Sequence, residues 1–186
     1  MSVPLEWVES MGGPLVVVPV SALPAWSGGT MSGILMGGDV LDDYDRAMAV
    51  DDLAGIVSVG GGAGRALVLG DGPDPGCYLP EHRAFLRWCG AESESRLRSA
   101  AEEVLADPAT SWDECGTWVT DGPAVLMDAA VPGTELDTAY PDEGMPEQAP
   151  VPLPPGRWRV RATQTEADPE TWVGLVQLLP ADSADA

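Results

Sequence analysis

The apolar residues of this chain fall in short β-prone runs, each ended within a few residues by glycine, proline or aspartate. Leu5 to Val8, Leu15 to Val20, Ile56 to Val59, Ala66 to Leu69 and Trp172 to Leu179 all read as strands. The linkers between them predict the pairing. Glu9 to Pro14, rich in residues that tolerate positive φ, predicts a hairpin between the first two runs. "GGGAGR" predicts a second hairpin, and Asp121-Gly122 inside "TWVTDGPAVLMD" a third. From Arg157 to Thr163, period-two alternation places Trp158, Val160 and Ala162 on one face and three arginines on the other. That strand is expected to close against Trp172 to Leu179.

Helical spacing is confined to the middle of the chain. From about Ser93 to Ala106, Leu97, Ala100, Ala101, Val104 and Leu105 form one apolar stripe, and Pro108 prevents continuation. A second helix is expected after Pro80, with Ala84, Phe85 and Trp88 at helical spacing and Gly90 as its stop. Asp42 or Asp43 can cap a short helical turn through Tyr44 and Ala47. Glycines around Trp26 and "GILM" suggest a loop with a short edge strand between Ala25 and Gly38. The fold class predicted is α+β, mostly antiparallel sheet with two central helices, in a single domain over residues 1–180. Residues 132–156 are expected to form an acidic, proline-rich loop without periodicity, and residues 181–186 a disordered tail.

Charge narrows the partners. Thirty acidic side chains against nine basic ones give a formal charge of -21, a field that repels nucleic acid and anionic lipid and attracts cationic proteins. With 45 % apolar residues and seven tryptophans, the chain is nonetheless hydrophobic enough to fold. All nine basic residues are arginines, so neither a lysine Schiff base nor the lysine of a phosphate loop can form. Three cysteines, an odd number with no CxxC pair, argue against a disulfide framework, and no leader or bilayer-length apolar run is visible. The expected compartment is the cytoplasm.

Gly12 and Gly13 precede a proline and a valine run, which is strand material rather than the helix start a phosphate cradle needs. Gly60 to Gly64 is followed by "RALVLG", not by the helix of a dinucleotide site. His82 and Cys89, if helical, would lie about 10 Å apart along the axis, too far for a catalytic pair. Cys77, His82, Cys89 and Cys115 lack zinc-ligand spacing. No catalytic residue, metal or cofactor is therefore assigned. The densest carboxylate group is Asp39, Asp42, Asp43, Asp45, Asp51 and Asp52, which lacks the glycine and glutamate of a calcium loop. With Tyr44, and with Asp142 and Glu143 in the late loop, it is the candidate docking surface for arginines and lysines of a partner. A carboxylate pair acting as a small hydrolase remains open at this point, as does a nucleic-acid mimic that binds another basic protein.

"WVESMGGPLVVVP", "DYDRAMAV", "GGGAGRALVLGDGP", "YLPEHRAFLRW" and "LPPGRWRVRATQTEADPETWVGLVQLLP" together resemble the bacterial Immunity protein 21 family, over most of the chain from Trp7 to Pro180. The resemblance implies a small cytoplasmic protein that neutralises a cognate toxin of a polymorphic toxin system. It maps family patterns onto Trp7, Gly12, Gly13 and Pro14, onto Asp43, Tyr44, Asp45 and Arg46, and onto Pro154, Pro155, Gly156 and Arg157. Of these, the Asp-Tyr-Asp-Arg group is the expected contact element. The implied partner is a basic toxin domain, nucleases being one such class, with neither nucleic acid nor membrane bound directly.

Overall fold

The computed structural model describes residues 4–30, 41–70, 72–142 and 144–181. The predicted "GILM" edge strand, Asp39, Glu143 and all of the expected tail but Ala181 lie outside the described residues. Ten strands build two five-stranded sheets in which every neighbouring pair is antiparallel. The first sheet runs β2 (Gly55–Ser58), β3 (Arg65–Leu69), β1 (Leu15–Pro19), β7 (Ala124–Asp128), β8 (Gln148–Val151). The second runs β4 (Gly76–Leu79), β5 (Ala84–Gly90), β10 (Thr171–Pro180), β9 (Gly156–Asp168), β6 (Asp113–Thr120). With α1 (Asp43–Met48) and α2 (Glu94–Ala106), this is the mostly antiparallel α+β domain that the sequence predicts.

Alternation explains why whole strands are buried. In β1, Leu15 and Val17 face the other sheet, whereas Val16 and Val18 face outward under a covering layer. Between the sheets, Leu15, Val17, Leu67 and Leu126 meet Phe85, Trp118, Trp158, Val160 and Val176. The two large indoles are satisfied as well as buried: Trp118 Nε1 donates to the Arg65 carbonyl at 3.0 Å and Trp158 Nε1 to the Thr120 hydroxyl at 2.9 Å. The Trp158/Val160/Ala162 face points into the core, and the Arg157 and Arg159 side chains are exposed, as the alternation predicts. The hairpin joining β2 and β3 and the closing pair β9/β10 also form where predicted.

Two expected hairpins are instead crossings between sheets. Val8 exchanges backbone hydrogen bonds of 2.8 and 3.0 Å with Gly76, the first residue of β4, while β1 pairs with β3 and β7. Glu9 to Pro14 thus carries the chain from the second sheet to the first. Asp121-Gly122 does the reverse of a hairpin too, linking β6 in the second sheet to β7 in the first. Turn residues look alike in both geometries; the difference is that Trp118 and Leu126 both point into the space between the sheets, which demands an arch.

The helix expected after Pro80 is a strand. Pro80–His82 forms one 3-10 turn, Arg83 reverses the chain at φ 45°, and β5 then runs between β4 and β10. Both faces of β5 are covered, Phe85 by the other sheet and Ala84 and Leu86 by the layer containing α2, so its apolar residues do not alternate and mimic a helical stripe. Nor is 132–156 structureless throughout: β8 adds to β7 at the sheet edge, where Pro150 withholds no ladder bond that an inner strand would need. Among the described residues, no helix is long and apolar enough to cross a membrane.

Candidate functional site

The Asp-Tyr-Asp-Arg group forms α1, and its local structure follows from a capping box. Asp42 accepts the Asp45 N–H at 2.7 Å, and Asp45 accepts the Asp42 N–H at 3.3 Å. The Asp42 carboxylate also takes the Thr30 N–H at 2.8 Å and the Thr30 hydroxyl at 3.0 Å. Burial opposes its ionisation, but the Thr30 and Asp45 hydrogen bonds outweigh that and hold its carboxyl below the usual aspartate range. A general acid is tuned the opposite way, with its carboxyl raised.

Asp43 is fully buried. It accepts the Ser27 N–H at 2.7 Å, the Ser27 hydroxyl at 3.0 Å and the Gly60 N–H at 2.8 Å, and it is ion-paired with Arg46. Arg46 donates a further bond of 2.6 Å to the Leu41 carbonyl. One carboxylate therefore ties α1 to the segment before it and to the β2–β3 turn. Tyr44 completes the node: a Cβ on Gly13 would sit 2.7 Å from its ring, so a side chain there would have to push the ring aside.

The predicted docking residues differ in burial. Asp42 and Asp43 are buried and their carboxylates hold local structure; Tyr44 and Asp45 are half-buried; Asp51, Asp52 and Asp142 are exposed. Asp51 and Asp52 precede β2, where the Asp52 charge reaches Cys115 on β6. Asp142, at φ 68°, sits on a turn closed by mutual Tyr140–Gly144 backbone bonds of 2.9 and 3.2 Å. Trp7 lies elsewhere: its indole donates to Glu94 at 2.8 Å and its ring centroid is 5.2 Å from that of Trp88, fastening the N-terminal segment to the start of α2.

Two surface features escape the sequence. A groove of about 520 Å³ between the C-terminal end of α2 and β9 is lined by Glu103, Asp107, Asp113 and Glu166, with no basic side chain among the described lining residues. A smaller hollow of about 240 Å³ is lined by Met11, Tyr140 and Met145 together with Glu9, Asp128 and Glu147. Met11 and Met145 are 69 % and 51 % exposed, in a crossing and a loop where no periodicity could flag them.

The three thiols are not poised for nucleophilic work. Burial pushes Cys77 up to about 12 and Cys89 up to about 11, and raises Cys115 as well. His82 lies in the 3-10 turn and Cys89 near the far end of β5, so the helical pairing considered from spacing has no geometric basis. Among the described residues, no group of three or more His, Cys, Asp and Glu is arranged to hold a metal ion.

Taken as a class, this is a two-sheet sandwich with covered outer faces, in which turn glycines, aspartates and indoles brace segments against one another. The sequence model of the family described as Immunity protein 21 matches residues 6–171, and the chain belongs to that family. No match was found among curated proteins or among solved structures.

Proposed function

We propose that the chain binds and neutralises a cognate toxin of a bacterial polymorphic toxin system, as a non-enzymatic protein of the cytoplasm acting through its acidic surface. The observation that carries this reading is membership of the Immunity protein 21 family over residues 6–171. The charge of -21 supports it, because a field of that sign steers a basic toxin domain, such as a nuclease, into encounter. Asp45, Asp51, Asp52 and Asp142, with Tyr44, supply exposed or half-exposed contacts, whereas Asp42 and Asp43 act by holding α1 in place.

The test is to purify the chain with the C-terminal domain of the toxin encoded beside its gene. A stable complex is expected, with toxin activity abolished at one-to-one stoichiometry and an association rate that falls as salt rises. Absence of a complex with that domain refutes the reading.

A further inference from the structure

The hollow lined by Met11 and Met145 sets two exposed methionines beside two exposed glutamates. Two observations make it a built feature. First, the Met11 backbone is pinned: its N–H donates to the buried Asp128 carboxylate at 2.9 Å, and Ser10 Oγ donates to the Gly13 carbonyl at 2.6 Å. The Tyr140–Gly144 bonds close the turn next to Met145, and the Tyr140 hydroxyl donates to Glu135 at 2.8 Å. Second, the rim is anionic. Glu9 and Glu147 are both exposed at its edge, the Glu9 N–H donating to Glu147 at 2.6 Å, and none of the described lining residues is basic.

Exposed methionines beside two glutamates suit a long aliphatic stem carrying a cation. At about 240 Å³ the space is smaller than the range typical of small-molecule and cofactor pockets, which begins near ~300 Å³. We propose that this hollow receives an arginine or lysine side chain of the partner toxin, its stem on Met11 and Met145 and its charge between Glu9 and Glu147. The proposal rests on the toxin-binding reading and adds the place on the surface where the contact is made.

The experiment measures binding kinetics of the adjacent gene's toxin domain to three double variants, each first checked for an unchanged melting temperature. Met11→Ala/Met145→Ala removes both thioether side chains without altering charge and is expected to weaken binding roughly 30-fold, almost entirely through faster dissociation. Glu9→Gln/Glu147→Gln is expected to weaken it about tenfold and to reduce the salt dependence of association. Glu103→Gln/Glu166→Gln, the same charge change at the groove beside α2, should alter affinity less than about threefold. If the wild-type chain binds and the methionine variant dissociates no faster, the hollow is overturned while the toxin reading stands. A larger loss at the groove than at the hollow overturns it equally. If the wild-type chain does not bind this domain, both fall together. Should the methionine variant melt early, Met145→Gln alone, at a half-exposed position, takes its place with an expected loss of about fivefold.

Discussion

The second sheet is roofed by one regular element and the first by a patchwork, and the two roofs are held down by different chemistry. Over the second sheet, α2 lays Leu97, Ala100, Ala101 and Val104 on Leu86, Val173 and Leu175, and its N-terminal half is held by the Ser93 cap and ion pairs of Arg96 with Asp168 and Arg98 with Glu81. A helix satisfies most of its own backbone, so side chains need only supply apolar contact. Over the first sheet, Trp26, Ala47, Val131 and Leu136 come from separate short segments. Irregular backbone leaves many N–H groups without internal partners, and buried carboxylates take them: Asp42, Asp43 and Asp128 together accept backbone N–H groups from Ser27, Thr30, Asp45, Gly60, Met11 and Ala130. Among the described residues every buried side-chain nitrogen and oxygen has a hydrogen-bond partner. The lesson is that part of the chain's acidity is internal scaffolding, so formal charge overstates the charge available to a partner.

The contrast predicts that polar deletion hurts one roof most and apolar deletion the other. Asp43→Ala takes the buried acceptor from the Ser27 and Gly60 donors and the ion-pair partner from Arg46, and should cost about 3 kcal/mol in denaturant unfolding. A loss under about 1 kcal/mol would show that the patchwork does not depend on its carboxylates. On the other roof, Leu97→Ala should cost about 3 kcal/mol by leaving a cavity above Leu86 and Leu175.

Backbone geometry sharpens the same contrast at smaller scale. Gly28 has φ +61°, and a Cβ there would lie 2.4 Å from the Ala130 carbonyl oxygen, where two segments of the patchwork cross. Gly28→Ala should therefore cost about 2 kcal/mol, the strain of both conformation and contact. Ser93→Ala, removing the 3.2 Å cap bond to the Arg96 N–H, should cost only about 1 kcal/mol, because the rest of α2 is self-sufficient. Hydrogen exchange gives a second measure: amides around α1 should open locally in the Gly28 variant while those of α2 keep their protection.

What the sequence made legible was whatever depends on local pattern. The α2 stripe, the β2–β3 turn, the β9 alternation and the Asp42 cap are all written within a few consecutive residues, and all form as read. Whatever depends on the second sheet being present was hidden. Phe85 and Trp88 look helical until layers cover both faces of β5, and Glu9–Pro14 looks like a hairpin turn until Val8 finds Gly76. The candidate site shows the same division. Composition marks the Asp-Tyr-Asp-Arg group as charged and therefore as surface, yet only the fold reveals that Ser27 and Gly60 draw Asp43 inside. Met11 and Met145, 134 positions apart (145 − 11), share a hollow through tertiary structure alone.

The smallest expected effect tests the ionic half of the comparison directly. Because hydrogen bonds from Thr30 and Asp45 overcome burial and hold the Asp42 carboxyl below its ordinary value of 3.8, its contribution to stability is fully present above that pH and is lost as pH falls through the lower folded value. Asp42→Asn keeps a cap acceptor but carries no charge, so the variant should be less stable than the wild type at pH 7, with the gap closing as pH drops below 3.8. Asp45 and the Asp43–Arg46 pair are present in both chains, so the difference between their acid unfolding curves isolates Asp42. A gap that stays constant down to the acid transition would mean that the hydrogen-bonded shape of the side chain, and not its charge, secures the patchwork roof.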